Sequence, residues 1–347
     1  MNEYVGAIHM HSVFSDGSGK VEDIAKAASE MELDYIILTD HNTLRALEEG
    51  YEKLYENTFL LVGCEINDKE NKNHYLALRT SEAFSTRMAA KEYVKKVNES
   101  GGFGFIAHPL EKRTHMEEHP PYPWVDWDID DFTGMEIWNH MSEWMENLTE
   151  QNKYQFFLHP LKSIVAPSQE TLELWDKLNL KRKVVGMGGV DAHAHKYNLL
   201  GFLEVEIFPY KVLFKSIRTH ILTEKELKKT EDPKDFDEAK KTIYDSLEKG
   251  LSFIANDYHG DSKGFRFFAG KGAKTYQMGD TIKGYEGVSL NIQIPQSAEI
   301  KIIRNGSLVE NYSGDEFKFA IKDTGIYRVE VYLNENAWIF SNHIKVI

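Results

Sequence analysis

The feature that most constrains this chain is an alternation of short apolar runs with amphipathic stretches, sustained from Val5 to about Asn256. Runs of four or five apolar residues bounded by turns fit strands buried on both faces. Residues 5–8, 35–38, 59–62, 75–78, 103–107, 134–138, 184–187 and 203–207 read as such strands. Between them, 20–31 reads as a helix with Val21, Ile24, Ala25, Ala28 and Met31 on one face. Residues 44–55 and 89–100 also read as helices, the second stopped by Gly101-Gly102. This alternation predicts an α/β fold with a mostly parallel sheet, either barrel or open. Two segments stand apart. Residues 115–131, rich in Pro, Trp and acid, read as a long loop over one end of the sheet, and 223–249 as a charged helical stretch that Pro233 breaks in two.

From about Gly264 the pattern changes to short alternating strands at 288–292, 299–303, 317–321, 327–332 and 338–346, with Asn305-Gly306 as a hairpin turn. At 347 residues the chain exceeds what one compact core usually holds. The expected division is an α/β unit over 1–262 and a small all-β, sandwich-like domain over 263–347. The formal charge of −14 argues against binding extended nucleic acid, which needs a basic surface. No apolar run approaches the roughly 18 residues of a membrane span, and Met1-Asn2-Glu3-Tyr4 does not open a secretory signal. Cys64 is the single cysteine, which excludes an internal disulfide and a thiolate zinc cluster and fits a cytoplasmic home.

Histidines and carboxylates fall at or just past the C-terminal ends of the expected strands, where parallel α/β folds build their sites. His9 and His11 close the first strand, with Asp16 in the next turn. Asp40 and His41 close the second and Glu65 the third. His74 opens the next, His108 ends the 103–107 strand, and Asp191 and His193 follow the 184–187 strand. On a strand, residues i and i+2 share a face, so His9 and His11 are placed to bind one cation together. Asp191-Ala192-His193 repeats that spacing, and Glu65 has two oxygens with which to bridge two cations. Any one of these histidines alone would read as a core or surface residue; their conjunction points to metal. Mixed N/O ligation without thiolate suits Zn, Mn or Fe.

The segments His9-Met10-His11…Ser15-Asp16-Gly17, Leu38-Thr39-Asp40-His41-Asn42, Gly63-Cys64-Glu65, Ala107-His108-Pro109 and Gly188-Gly189-Val190-Asp191-Ala192-His193 resemble, in order, the motifs of the PHP (polymerase and histidinol phosphatase) superfamily. The resemblance spans roughly residues 4–255. It implies a distorted seven-stranded (β/α) barrel with two or three divalent metal ions. The ending Ala337-Trp338-Ile339-Phe340-Ser341-Asn342-His343 is similar to that of the CehA/McbA-type branch, with Ala337 and His343 standing where that branch has prolines. Carried over by position, the resemblance implies one site of His9, His11, Glu65 and Asp191, a second of Glu65, His74 and His108, and a third of Asp16, His41 and His193.

The activity so implied is a metal-dependent phosphoesterase acting on a small phosphorylated metabolite or nucleotide. Two cations roughly 3.5–4 Å apart lower the pKa of a shared water, and the hydroxide attacks phosphorus. The alternatives are hydrolysis of a carboxylic or carbamic ester, or a barrel acting as scaffold with the β domain as binding module. Arg113 is a candidate to reach a substrate phosphate, His195 to protonate the leaving group, and Asp40 to orient a histidine ligand. Asn139 and His140 are candidate pocket residues, and Tyr122, Trp124 and Trp127 a candidate stacking wall. Cys64 reads as a packing residue rather than a nucleophile.

Overall fold

A computed structural model describes residues 1–113, 120–199 and 203–347; part of the expected 115–131 loop therefore lies outside the described residues. The strands form two principal sheets. In the larger, the order runs Lys53–Tyr55, Thr58–Val62, Tyr35–Leu38, Asn2–Ile8, Ile217–Thr223, Ser252–Asn256, Asn336–Ser341, Gly325–Leu333, Val288–Arg304, Arg266–Lys271, Lys274–Gln277. The smaller runs Cys64–Ile66, Tyr75–Leu78, Phe103–Ile106, Gly134–Asn139, Val185–Gly189. Asn2–Ile8, Tyr35–Leu38 and Thr58–Val62 pair in parallel, as do Phe103–Ile106, Gly134–Asn139 and Val185–Gly189; Tyr75–Leu78 is antiparallel to both neighbours. Tyr35–Leu38 and Thr58–Val62 are buried throughout, as continuous apolar runs require.

Strand order therefore gives a mixed α/β fold in two principal sheets; it does not show the strands of the expected distorted seven-stranded barrel closed into one ladder. The ladders break at two seams for local reasons. At one, Gly63 lies between the sheets, where a Cβ would meet Ala77 O at 2.7 Å, so the chain leaves one ladder at Val62 and enters the other at Cys64. At the other, His9 and Asp191 adopt left-handed backbone (φ 68° and 51°) just beyond their strands. Single hydrogen bonds still cross that seam: Val190 N–H donates to Ile8 O (3.0 Å) and His11 N–H to Ala192 O (2.9 Å).

The helix Val21–Glu30 buries Val21, Ile24, Ala25 and Ala28, the stripe its sequence shows. The expected 44–55 helix ends at Glu48. Gly50 turns the chain at φ 79°, and Lys53–Tyr55 becomes an edge strand, with Glu52 accepting Val62 N–H at 2.9 Å. Pro233 starts a helix rather than breaking one: Asp232 caps Pro233–Lys249 by accepting Lys234 N–H at 2.9 Å, because proline at the first turn forfeits only a free N–H. The 203–207 strand is no part of the main sheets; Leu203–Ile207 pairs antiparallel with His195–Leu199 as a separate hairpin.

The C-terminal part is β-rich but continuous with the large sheet, since Asn336–Ser341 pairs with Ser252–Asn256. Two expected strands, 288–292 and 299–303, are halves of one 17-residue strand, Val288–Arg304, whose ladder with Ser307–Ala320 shifts register between Gln293 and Ala298. This region has its own apolar core around Phe267, Leu290, Ile300, Val329 and Trp338. Just past Ser341, the Asn342 side chain acts as a strand surrogate: it accepts Gly186 N–H (2.7 Å) and donates to Gly186 O and Ser252 O (3.0 Å each). Among the described residues no helix is long and apolar enough to cross a membrane.

Candidate metal centre

All nine sequence-selected ligand candidates meet at one end of the two sheets. Four groups have ligand atoms within 4.8 Å of one another: His9, His11 and Asp191; His9, Glu65 and His108; His41, Glu65 and His74; and His11, Asp16, His41 and His193. Glu65 is the hub. Its Oε2 faces His9 Nε2 (3.0 Å), His11 Nε2 (3.2 Å) and His41 Nδ1 (3.5 Å), and its Oε1 faces His74 Nδ1 (2.7 Å) and His108 Nε2 (3.4 Å). Asp191 Oδ1 stands 3.4 Å from His9 Nε2 and 3.5 Å from His11 Nε2. Asp16 reaches His193 Nε2 at 3.4 Å and His41 Nε2 at 3.6 Å. The grouping differs from expectation in detail: His11 also joins Asp16, His41 and His193, and His9 also joins Glu65 and His108.

The route by which His9 and His11 converge also differs. The first strand ends at Ile8, so the alternation of a strand does not align them; the left-handed turn at His9 does. His108 and Asp191 share that backbone region (φ 28° and 51°), which costs non-glycine residues energy and collects at functional sites.

Removing charges from water is expensive, and here charges compensate one another. Burial pushes the His11 imidazole down, but Asp191 and Glu65 outweigh it and hold it at about 10. His108 is held at about 9 against burial by Glu111 and Glu65, and His9 well above the usual range by Asp191, Glu136 and Glu65. Against burial, His9 in turn keeps Glu65 and Asp191 ionised well below the ordinary carboxylate range. Burial takes His41 the other way, to about 4, despite Glu65. His11 Nδ1 and Nε2 and His108 Nδ1 are buried without a hydrogen-bond partner among the described residues. Convergent buried imidazoles and carboxylates with orphaned nitrogens are the donor set that divalent cations take.

The other candidates separate. Among the described residues Asp40 bonds serines rather than an imidazole: its carboxylate accepts Ser12 N–H (2.7 Å), Ser12 Oγ–H (2.7 Å) and Ser15 Oγ–H (2.6 Å), and so pins the loop between His11 and Asp16. Arg113 pairs with Glu111 (2.5 Å) and lies over the Tyr122 ring, which itself stacks on His74 at 5.2 Å. His195 is exposed, with its ring 4.9 Å from that of His193. Trp124 is buried in the core and Trp127 packs against it, so of the three aromatics only Tyr122 stacks on a ligand candidate. His140 meets Ser216 Oγ at 2.6 Å, and burial lowers it to about 3. Cys64 is buried, and burial pushes its thiol up to about 12, which leaves no thiolate to act as nucleophile.

Sequence reasoning missed Glu136. It is fully buried, with Oε1 2.7 Å from His9 Nδ1. The signal was available, because a lone carboxylate inside the apolar run 134–138 must find a buried partner.

The PHP domain model matches residues 7–277. The chain belongs to the PHP family. A search of curated proteins returned no match. Among solved structures, this PHP chain is similar to a two-domain protein containing a predicted PHP-like metal-dependent phosphoesterase from Bacteroides vulgatus (14% identity, 99% of this chain and 95% of that one, TM-score 0.46). It is also similar to a protein from Bifidobacterium adolescentis named for metal-dependent phosphoesterase activity (16% identity, 58% and 92%, TM-score 0.33). A third is an amidohydrolase from Chromobacterium violaceum (13% identity, 54% and 87%, TM-score 0.31).

Proposed function

We propose that this PHP protein is a metal-dependent phosphoesterase that hydrolyses a small phosphorylated metabolite or nucleotide. The observation that carries the reading is the double-sided Glu65 carboxylate, with three imidazoles on one oxygen and two on the other. In this reading His9, His11, Glu65 and Asp191 hold one cation, Glu65, His74 and His108 a second, and Asp16, His41 and His193 a third, the metals being Zn, Mn or Fe. Bound there, such cations neutralise phosphoryl oxygens and bring the pKa of water towards neutrality.

The chain's own residues do the rest. Asp40 fixes the loop that presents Asp16. Arg113, on the Tyr122–His74 stack, offers a guanidinium to a phosphate. His195, exposed beside His193, protonates the departing oxygen. Next to His108 a cavity of about 610 Å³, lined by Glu136, Trp138, Asn139, Ser142 and Phe156, has room for a small organic leaving group. The single buried cysteine fits a cytoplasmic setting.

The test is metal analysis of purified protein with a panel of phosphate monoesters, nucleotides and a naphthyl carboxylate ester. Phosphate release is expected in the metal-loaded protein, and its loss in His9→Ala and Asp191→Ala with the circular dichroism unchanged. Near-full phosphate release by either variant, or cleavage of the carboxylate ester alone, would overturn the proposal.

A further inference from the structure

Glu136 is held as no structural filler needs to be. One oxygen faces His9 Nδ1 at 2.7 Å; the other accepts His108 N–H and the Asn139 amide, each at 2.8 Å. A single carboxylate thus ties together the side chain of one ligand candidate and the backbone of another, which lie just past strands 2–8 and 103–106. The space it occupies is reserved by Gly189, where a Cβ would stand 1.8 Å from Glu136 Oε1 and 3.1 Å from His9 Cβ.

We infer that Glu136 is the positioning residue that sets the tautomer and ring orientation of His9. The inference rests on the metal-centre reading above. For His9 Nε2 to present a lone pair towards the space it shares with Glu65 and Asp191, the ring proton must sit on Nδ1, and Glu136 Oε1 is the acceptor placed to hold it there. Carboxylate partners of this kind fix imidazole ligands and raise their basicity. Glutamine of the same shape reverses the arrangement. The His108 and Asn139 donors claim its carbonyl oxygen, which turns the amide NH2 onto His9 Nδ1. That nitrogen must then accept, and the ring proton moves to Nε2, the atom that has to coordinate. The opposite amide orientation sets two donors against two donors.

The experiment loads wild type, Glu136→Gln and Gly189→Ala with Zn²⁺ or Co²⁺. Zinc-loaded wild type, labelled with ¹⁵N-histidine, is expected to show His9 protonated on Nδ1 and metallated on Nε2. Glu136→Gln is expected to weaken one class of Co²⁺ site roughly 10- to 100-fold, with altered absorption bands. Gly189→Ala keeps every donor but pushes the carboxylate aside, so it reproduces the loss even if the glutamine variant fails to fold. His9 metallated on Nδ1 in wild type overturns the inference, as does wild-type cation affinity in a folded variant. Wild type that takes up no cation sinks the metal-centre reading itself, a separate result.

Discussion

Loading the metal-free protein with divalent cations should expel protons, and the number follows from the site's electrostatics. A histidine binds metal only as the neutral ring. At pH 7.5, His11, held at about 10, and His108, held at about 9, are both protonated. His9, held well above the usual range, is protonated too, whereas His41 at about 4 is already neutral. Full loading at pH 7.5 therefore releases about three protons from these rings. At pH 9.5, between the two values, His11 stays mostly protonated and His108 is mostly neutral, so their joint release falls from roughly two protons to about one. The sign is fixed: protons and cations compete, so acid weakens binding, by about a thousandfold per pH unit for overall loading where three protons are displaced. Calorimetric titration of Mn²⁺ into stripped protein, in buffers of different ionisation enthalpy, reads the proton number directly. Release of less than one proton at pH 7.5 would refute the reasoning, because the imidazoles would then be neutral before metal arrives.

Two further outcomes follow from buried groups outside the centre. Asp176→Ala should destabilise the protein in urea unfolding by less than the ~3–5 kcal/mol of a wholly unpaired buried charge, because Glu330 still pairs Arg328 at 2.6 Å. The substitution strips Arg328, buried and paired through two 2.8 Å bonds, of its bidentate partner, and it also unpairs His343 at 2.7 Å. Cys64→Ala should leave phosphate release within about twofold of wild type in a steady-state assay, since a thiol held at about 12 takes no part in chemistry near neutral pH.

The residue types around the centre were legible because imidazoles and carboxylates at strand ends have few other reasons to cluster. The path that joins them was not. Whether His9 and His11 meet along a strand or around a left-handed turn depends on φ at His9, for which a histidine codon carries no local signature. The same holds for the ladder break at Gly63, which answers to the approach of Ala77 and Leu78 from another part of the chain. The strand Ile217–Thr223 escaped the pattern because it buries polar side chains: His220 sits between Glu3 (2.9 Å) and Asp257 (3.2 Å), partners 217 and 37 residues away. Local propensity failed at 44–55, where Gly50 ended the helix. At His343 the resemblance leads one to expect proline, and the chain instead places an imidazole against Trp175 and Asp176.

The amide of Asn342 grips both backbone atoms of Gly186, five residues upstream of Asp191. A change at position 342 therefore slackens, from outside the centre, the strand that leads to Asp191.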